Sequence, residues 1–177
     1  MGVLMKQNPV KLIVSFIYKD KVKMSEVETR LKSVYGQLED LKKQLMFDYT
    51  DYYRNEFGKP LKRKLICFKK LVRRDDIAKI KLFTNRIENR FCIEGKRTVN
   101  VDPGYVNDAK LVLLTTKDYT HRVYIGRQIF AESTLFFKDN SFNSWPWTYP
   151  DYARKEMISY FNEVRGLYME DLAGKKG

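Results

Sequence analysis

Residues 10–18 read Val-Lys-Leu-Ile-Val-Ser-Phe-Ile-Tyr, apolar on both alternating faces of an extended chain. A strand with one wet face alternates polar and apolar residues, whereas one covered on both sides does not need to. The stretch therefore reads as a buried central strand, and the rest of the chain must supply its neighbours. Ser25-Glu-Val-Glu28 has the spacing of a helix capping box, and Val27, Leu31, Val34 and Leu38 follow at helical intervals. Gly36 supplies a stop. After it, the aromatic and Thr content of Phe47-Asp-Tyr-Thr-Asp-Tyr-Tyr53 favours extended structure.

Leu61 to Val72 reads as a second strand around the apolar centre Leu65-Ile-Cys-Phe68. Asp75 or Asp76 caps a following helix that buries Ile77, Ile80, Thr84, Ile87 and Phe91, with Gly95 beyond its end. Four strands are then expected at Arg97–Val101, Lys110–Thr116, Arg122–Ile125 and Ile129–Phe137, the first two separated by a Pro103-Gly104 turn. A closing helix should begin near Pro150, with Thr148 and Asp151 as cap signals, and run to about Leu172. Its stripe is Met157, Phe161, Val164 and Tyr168. This order predicts an α+β fold, one domain over 1–177, with a largely antiparallel sheet and helices packed mainly on one face.

At 177 residues and 44% hydrophobic content the chain can bury a core without metal or disulfide, and disorder is excluded. Cys67 and Cys92 are too few for a disulfide scaffold and read as buried thiols. No apolar run approaches the roughly 20 residues of a membrane span, and the segment around Asn8-Pro9 lacks the order of a signal peptide, so a cytoplasmic protein with no membrane partner is expected. The net charge of +12 is uneven: Lys59 to Arg74 carries eight basic residues and no acid. Such a run attracts polyanions, nucleic acid above all, although solvated Lys-rich surfaces are also common.

Several reaction classes lack their residues. Gly58-Lys59 has neither the preceding glycine nor the following hydroxyl of a P-loop, and no Gly-x-Gly-x-x-Gly occurs. One histidine and two separated cysteines cannot supply a structural zinc site by the usual spacings, so no metal site is assigned. What remains is polar residues at the ends of apolar strands, where loops place functional groups on a rigid frame. Asn100 and Asp102 share a strand face; Asp102 could orient a base or hold a cation, or simply accept backbone N–H groups in a turn. Lys117, His121 and Arg122 lie within six residues beside Thr115, Thr116 and Thr120, a set suited to phosphate, and His121 could also serve as a general acid or base. Lys81, Asn85 and Glu88 line one shoulder of the second helix. Glu132, on a strand with Phe130, Thr134 and Phe136, needs a cationic partner, for which Arg97 and Arg122 are the candidates. Trp145 and Trp147 could stack on bases, but two Trp among Pro residues suit a structural wedge better.

Taken together, Pro9-Val-Lys-Leu-Ile13, Phe47-Asp-Tyr-Thr-Asp-Tyr-Tyr53 with Glu56 and Gly58, Ile80-Lys-Leu-Phe-Thr-Asn-Arg-Ile-Glu88, Arg97-Thr-Val-Asn-Val-Asp-Pro-Gly-Tyr105, Thr115-Thr-Lys117, His121-Arg-Val-Tyr124 and Pro146-Trp-Thr-Tyr-Pro-Asp-Tyr152 resemble a bacterial family of unknown function, catalogued as number four-four-one-six. Phe57 stands where that family would have Met. The resemblance implies a bacterial, soluble, single-domain protein and no mechanism. Members are sometimes labelled GTP-binding, but this chain has no P-loop, and Thr116-Lys-Asp118 lacks the spacing that reads guanine. The expected function is binding of a phosphate-bearing ligand, RNA or a nucleotide, through Lys81, Asn85, Glu88, Arg97, Asn100, Lys117 and Arg122. The alternative is a hydrolase or transferase on a small phosphorylated substrate, with His121 as acid or base and Asp102 and Glu132 holding magnesium. A third is a protein-interaction module docking through aromatic loops.

Overall fold

The computed structural model describes residue 3 and residues 6–41, 43–47 and 60–174, with 43–47 described as backbone only. Its elements are β1 (Val10–Tyr18), α1 (Lys21–Tyr35), β2 (Lys43–Phe47), β3 (Leu61–Val72), a 3-10 turn (Arg74–Asp76), α2 (Ile77–Arg90), β4 (Val99–Val106), β5 (Lys110–Thr115), β6 (Arg122–Tyr124), β7 (Phe130–Lys138), β8 (Ser141–Ser144) and α3 (Lys155–Gly174). One antiparallel sheet runs in the order β2-β3-β1-β4-β5-β7-β6, and β8 also pairs with β7. This is the expected α+β architecture.

Every residue of β1 is buried, as its two apolar faces require. Leu12, Val14, Phe16 and Tyr18 pack under α1 and α2 with Met24, Val27, Leu31, Ile80 and Ile87. Ile13 turns to the other face and meets Leu65 with Met157, Phe161 and Val164 of α3. Two of the three helices thus share one face and the third covers part of the other. Lys11 is fully buried on the α3 side, with Nζ 2.5 Å from both Glu39 and Asp171. Burial alone would lower its pKa, but the two carboxylates outweigh it and raise the value. The ion triad ties β1 to the segment after α1 and to the end of α3.

Local chemistry moved several boundaries. The Asp20 carboxylate accepts from the N–H groups of Val22 (2.7 Å) and Lys23 (3.2 Å), so α1 starts at Lys21 rather than at the Ser25 capping box. It ends at Gly36 with φ +91°, as expected. Pro103-Gly104 is no turn: β4 runs straight through it. The reversal lies at Asn107, whose Oδ1 accepts from Ala109 and Lys110 N–H at 3.0 and 2.8 Å. The Ser141–Ser144 strand was not anticipated. It follows a two-residue turn, Asp139-Asn140, with φ of +53° and +60° at residue types that tolerate that region. Helix α3 starts at Lys155 instead of Pro150, after a turn in which Tyr152 and Ala153 N–H donate to Tyr149 O. Residues 48–59, including most of the Phe47–Tyr53 run and Gly58-Lys59, lie outside the described residues. No helix among those described is long and apolar enough to cross a membrane.

Gly104 is required by close approach. A Cβ there would meet Val112 O at 2.4 Å and Leu113 Cδ2 at 2.9 Å, where β4 and β5 first pair. Gly104→Ala should therefore destabilise the protein by about 1–3 kcal/mol, the range for overpacking. Urea unfolding measures this, and an unchanged midpoint would show that β5 moves aside without strain.

Candidate functional site

Strand β4 pairs along its whole length with β1 but meets β5 only from Gly104 to Val106. Upstream of Gly104 the second edge of β4 has no strand partner among the described residues, and Pro103 has no N–H to offer. Helix α2 fills the gap with side chains. Glu88 Oε1 accepts a short hydrogen bond from Val101 N–H, and Lys81 Nζ lies 3.4 Å from Val101 O. Seven residues apart on one helix shoulder, the two side chains stand in for a neighbouring strand. Lys81 also binds Asp102 Oδ1 at 3.1 Å, Asn100 Nδ2 donates to Asp102 Oδ2 at 2.5 Å, and Arg97 Nη1 donates to Asn100 Oδ1 at 2.7 Å. Arg97 Nη1 also lies 3.9 Å from Glu88 Oε1. Asn85, half-buried on the same helix, stands outside this chain of bonds.

The two carboxylates of this group respond in opposite directions. Burial pushes Glu88 up to about 7; Lys81 opposes the rise, and Asp102 adds to it. Burial would also raise Asp102, but the Lys81 ammonium, aided by Asn100 and Arg63, holds it below its usual value.

A second group forms on the outer strands. Arg122 of β6 faces Glu132 of β7, with Nε 2.9 Å from Oε2, and both side chains are almost fully buried. Arg97 is not the partner; it stays with Asn100 and Glu88. The other guanidinium donors are also engaged: Nη1 with Lys117 O at 3.1 Å and Nη2 with Tyr149 Oη at 2.7 Å. Arg122 thus holds Glu132, the Lys117 carbonyl and Tyr149 together. His121 Nε2 lies 3.1 Å from Glu132 Oε2. Its ring stacks on Trp147 (5.7 Å, 12°), which stacks on Trp145 (5.1 Å, 10°), while Tyr119 lies beyond His121 at 6.2 Å.

A β-bulge seats the tryptophans. Leu111 pairs with Leu135 but Val112 with Ser133, so Thr134 is extra. The carbonyls around it are bound by the next turn: Trp147 Nε1 donates to Ser133 O at 3.0 Å and Thr148 Oγ1 to Thr134 O at 2.6 Å. The two tryptophans differ in burial: Trp145 is half-buried against Phe136, whereas Trp147 is 38% exposed.

The sequence offered no site role for Arg63 or Tyr149 and marked Asp151 only as a helix cap signal. Arg63 alternates with Leu61 and Leu65, which turns it inward to Asp151 at 2.9 Å, with both side chains about 8% exposed, and it lies over the Tyr152 ring. An inward charge on a strand was the available signal, masked by the surrounding basic run. By register Arg63, Ser15, Asn100, Asp102, Glu132 and Arg122 share the α3 face of the sheet. Tyr149 joins the two groups: its hydroxyl is raised first by burial, lowered by Arg122, and raised again by Glu132 and Asp102.

A magnesium ion shared by Asp102 and Glu132 does not suit this arrangement. The residues stand two strands apart, roughly 10 Å by strand spacing, and each carboxylate already has its own cation. Among the described residues no three His, Cys, Asp or Glu side chains gather as metal ligands would. A concavity of about 830 Å3 along α1, lined by Lys21, Arg30 and Phe91 among others, contains none of these residues. Cys67 is buried with its thiol pushed up to about 12 by burial, Cys92 is half-buried, and both are free.

With the fold and site described, the class is an α+β sheet protein that carries a buried ion-pair network beneath an aromatic surface. The chain belongs to the family of unknown function DUF4416, whose model matches residues 8–168. No curated protein and no solved structure matched it.

Glu88 sets a pH dependence. Its folded pKa, about 7, exceeds the 4.5 of the free side chain, so the folded state holds the extra proton. Its contribution is full below about pH 4.5 and lost as pH rises through 7, a loss of roughly 3 kcal/mol at 1.36 kcal/mol per pK unit. Asp102 acts oppositely, stabilising above its usual pKa and losing that as pH falls through its depressed one. Glu88→Gln should flatten the fall in urea stability between pH 5 and 8. Parallel profiles for wild type and variant would refute the assignment.

Proposed function

We propose that the chain is a cytoplasmic binding protein for a phosphate-bearing ligand that also presents a flat ring, RNA or a nucleotide. The observation that carries this reading is the row of rings in which His121 stacks on Trp147 and Tyr119 lies tilted beyond it, with Tyr119 61% and Trp147 38% exposed. Exposed rings held rigid from behind offer a base a stacking surface, worth roughly 1–3 kcal/mol per base. Here the rigidity comes from Glu132, Arg122 and the bulge carbonyls. Lys117, exposed on the same loop, and His121, when protonated, supply positive charge for the phosphate.

The basic run contributes less than its composition promised. Arg63 is spent on Asp151, Lys64 is bound to Glu28 beneath α1, and Arg73 pairs with Asp75 and Asp76. Attraction of a polyanion then rests on scattered exposed residues such as Lys69 and Lys70, so the salt dependence should be shallow for so basic a chain.

A second reading, general acid–base catalysis on a phosphorylated substrate, is favoured by one contact, the Glu132 carboxylate orienting His121. The two readings separate by turnover: a binding protein releases no product, whereas the enzyme would lose release of phosphate on His121→Gln.

Titrating short mixed RNA and mononucleotides at low salt, with tryptophan fluorescence as readout, tests the binding reading. Quenching is expected, with affinity reduced about fivefold or more in Trp147→Ala and in Lys117→Ala, and only weakly changed in Lys69→Ala. Absence of quenching with every ligand would end this proposal.

A further inference from the structure

The two hairpins of the β6–β7–β8 unit solve the same problem differently. Both turns hold their two central residues at positive φ. Between β7 and β8 these are Asp139 and Asn140, residue types suited to that region. Between β6 and β7 they are Arg127 (φ +56°) and Gln128 (φ +60°), in a turn closed by Ile129 N–H donating to Gly126 O at 3.0 Å. Long side chains enter the left-handed region at a cost, and such positions persist where the surroundings or a function demand them. Gly or Asn would close the turn without that cost.

What the costly turn achieves is a placement. It sets Arg127 across from α2, where Lys79, Leu82, Arg86 and Arg127 line a cleft of about 460 Å3. Lys79 keeps Asp76 as its partner at 2.7 Å, so the two exposed guanidiniums carry the site. Arg86 and Arg127 form no hydrogen bond or ion pair with another described residue, unlike Arg122, each of whose three nitrogens donates a hydrogen bond. Two guanidinium forks and an ammonium around one concavity repel one another until an anion lies between them, and phosphate matches that fork geometry. Leu82 provides an apolar floor. The cleft lies on the α2 face of the sheet, and none of the stacked rings lines it.

We propose that this cleft binds the phosphate group of a small phosphorylated molecule, at a site separate from the aromatic surface. Calorimetry of the full chain with inorganic pyrophosphate at low ionic strength tests it, beside thermal melting of the unliganded protein. Binding is expected in the wild type and, unchanged, in Trp147→Ala. It should weaken at least tenfold in Arg86→Gln and in Arg127→Gly. Arg127→Gly should also melt about 2–4 °C higher, because glycine relieves the turn. No binding in the wild type, or full binding in Arg127→Gly, would overturn the proposal. Loss of pyrophosphate binding in Trp147→Ala would do so too, by moving the anion to the aromatic surface. If Arg86→Gln weakens only a short RNA and pyrophosphate never binds, the phosphates belong to a polymer and the small-molecule site is refuted.

Discussion

The arrangement depends on what happens at Val101. A strand buried in the middle of a sheet cannot leave N–H and C=O groups unpaired, because each orphan would cost about 1–3 kcal/mol. Strand β5 reaches only as far as Gly104, and Pro103 could not have continued the ladder. Glu88 and Lys81 take the place of the missing strand, which fixes α2 against β4 and fixes the register at which Asn100 and Asp102 face the other side. The shoulder of α2 is thus a structural element first. Its charges reach the candidate site through Asp102, whose depressed pKa reflects Lys81.

The polar network on the α3 face is built from ion pairs and hydrogen bonds between buried side chains. Arg122 spends its donors on Glu132, Lys117 O and Tyr149, Arg63 faces Asp151, and Asp102 has Lys81 and Asn100. Buried ion pairs of this kind contribute little net stability but are costly to break on one side, so they fix geometry. Most of these residues therefore act as a frame. The exposed side chains around it include Tyr119, Trp147, Tyr149 and Lys117, the surface on which the proposed binding rests.

Much of this was legible in the residues. The all-buried β1, the stripe Met157, Phe161, Val164 and Tyr168 of α3, and the need of Glu132 for an arginine all follow from local pattern and charge balance. Asp-Pro-Gly misled because its local turn chemistry is real, while the reason for Gly104 is the approach of Val112, which no local pattern carries. Arg63 with Asp151, and Lys11 with Glu39 and Asp171, join residues distant along the chain. Each charge alone looks solvated, and only strand alternation hints that it turns inward. The separate fates of Trp145 and Trp147 depend on a single bulge residue, Thr134, which shifts the register by one.

The account rests on Trp147 and His121 forming a preorganised surface for a ring-bearing phosphate. Proton–nitrogen NMR addresses that surface directly, since the chain has two indole N–H groups and one imidazole. Adding a mononucleotide should move the Trp147 indole and His121 imidazole signals together, saturably, and by more than the half-buried Trp145 indole. Signals of both groups that stay in place at millimolar nucleotide would contradict the central claim.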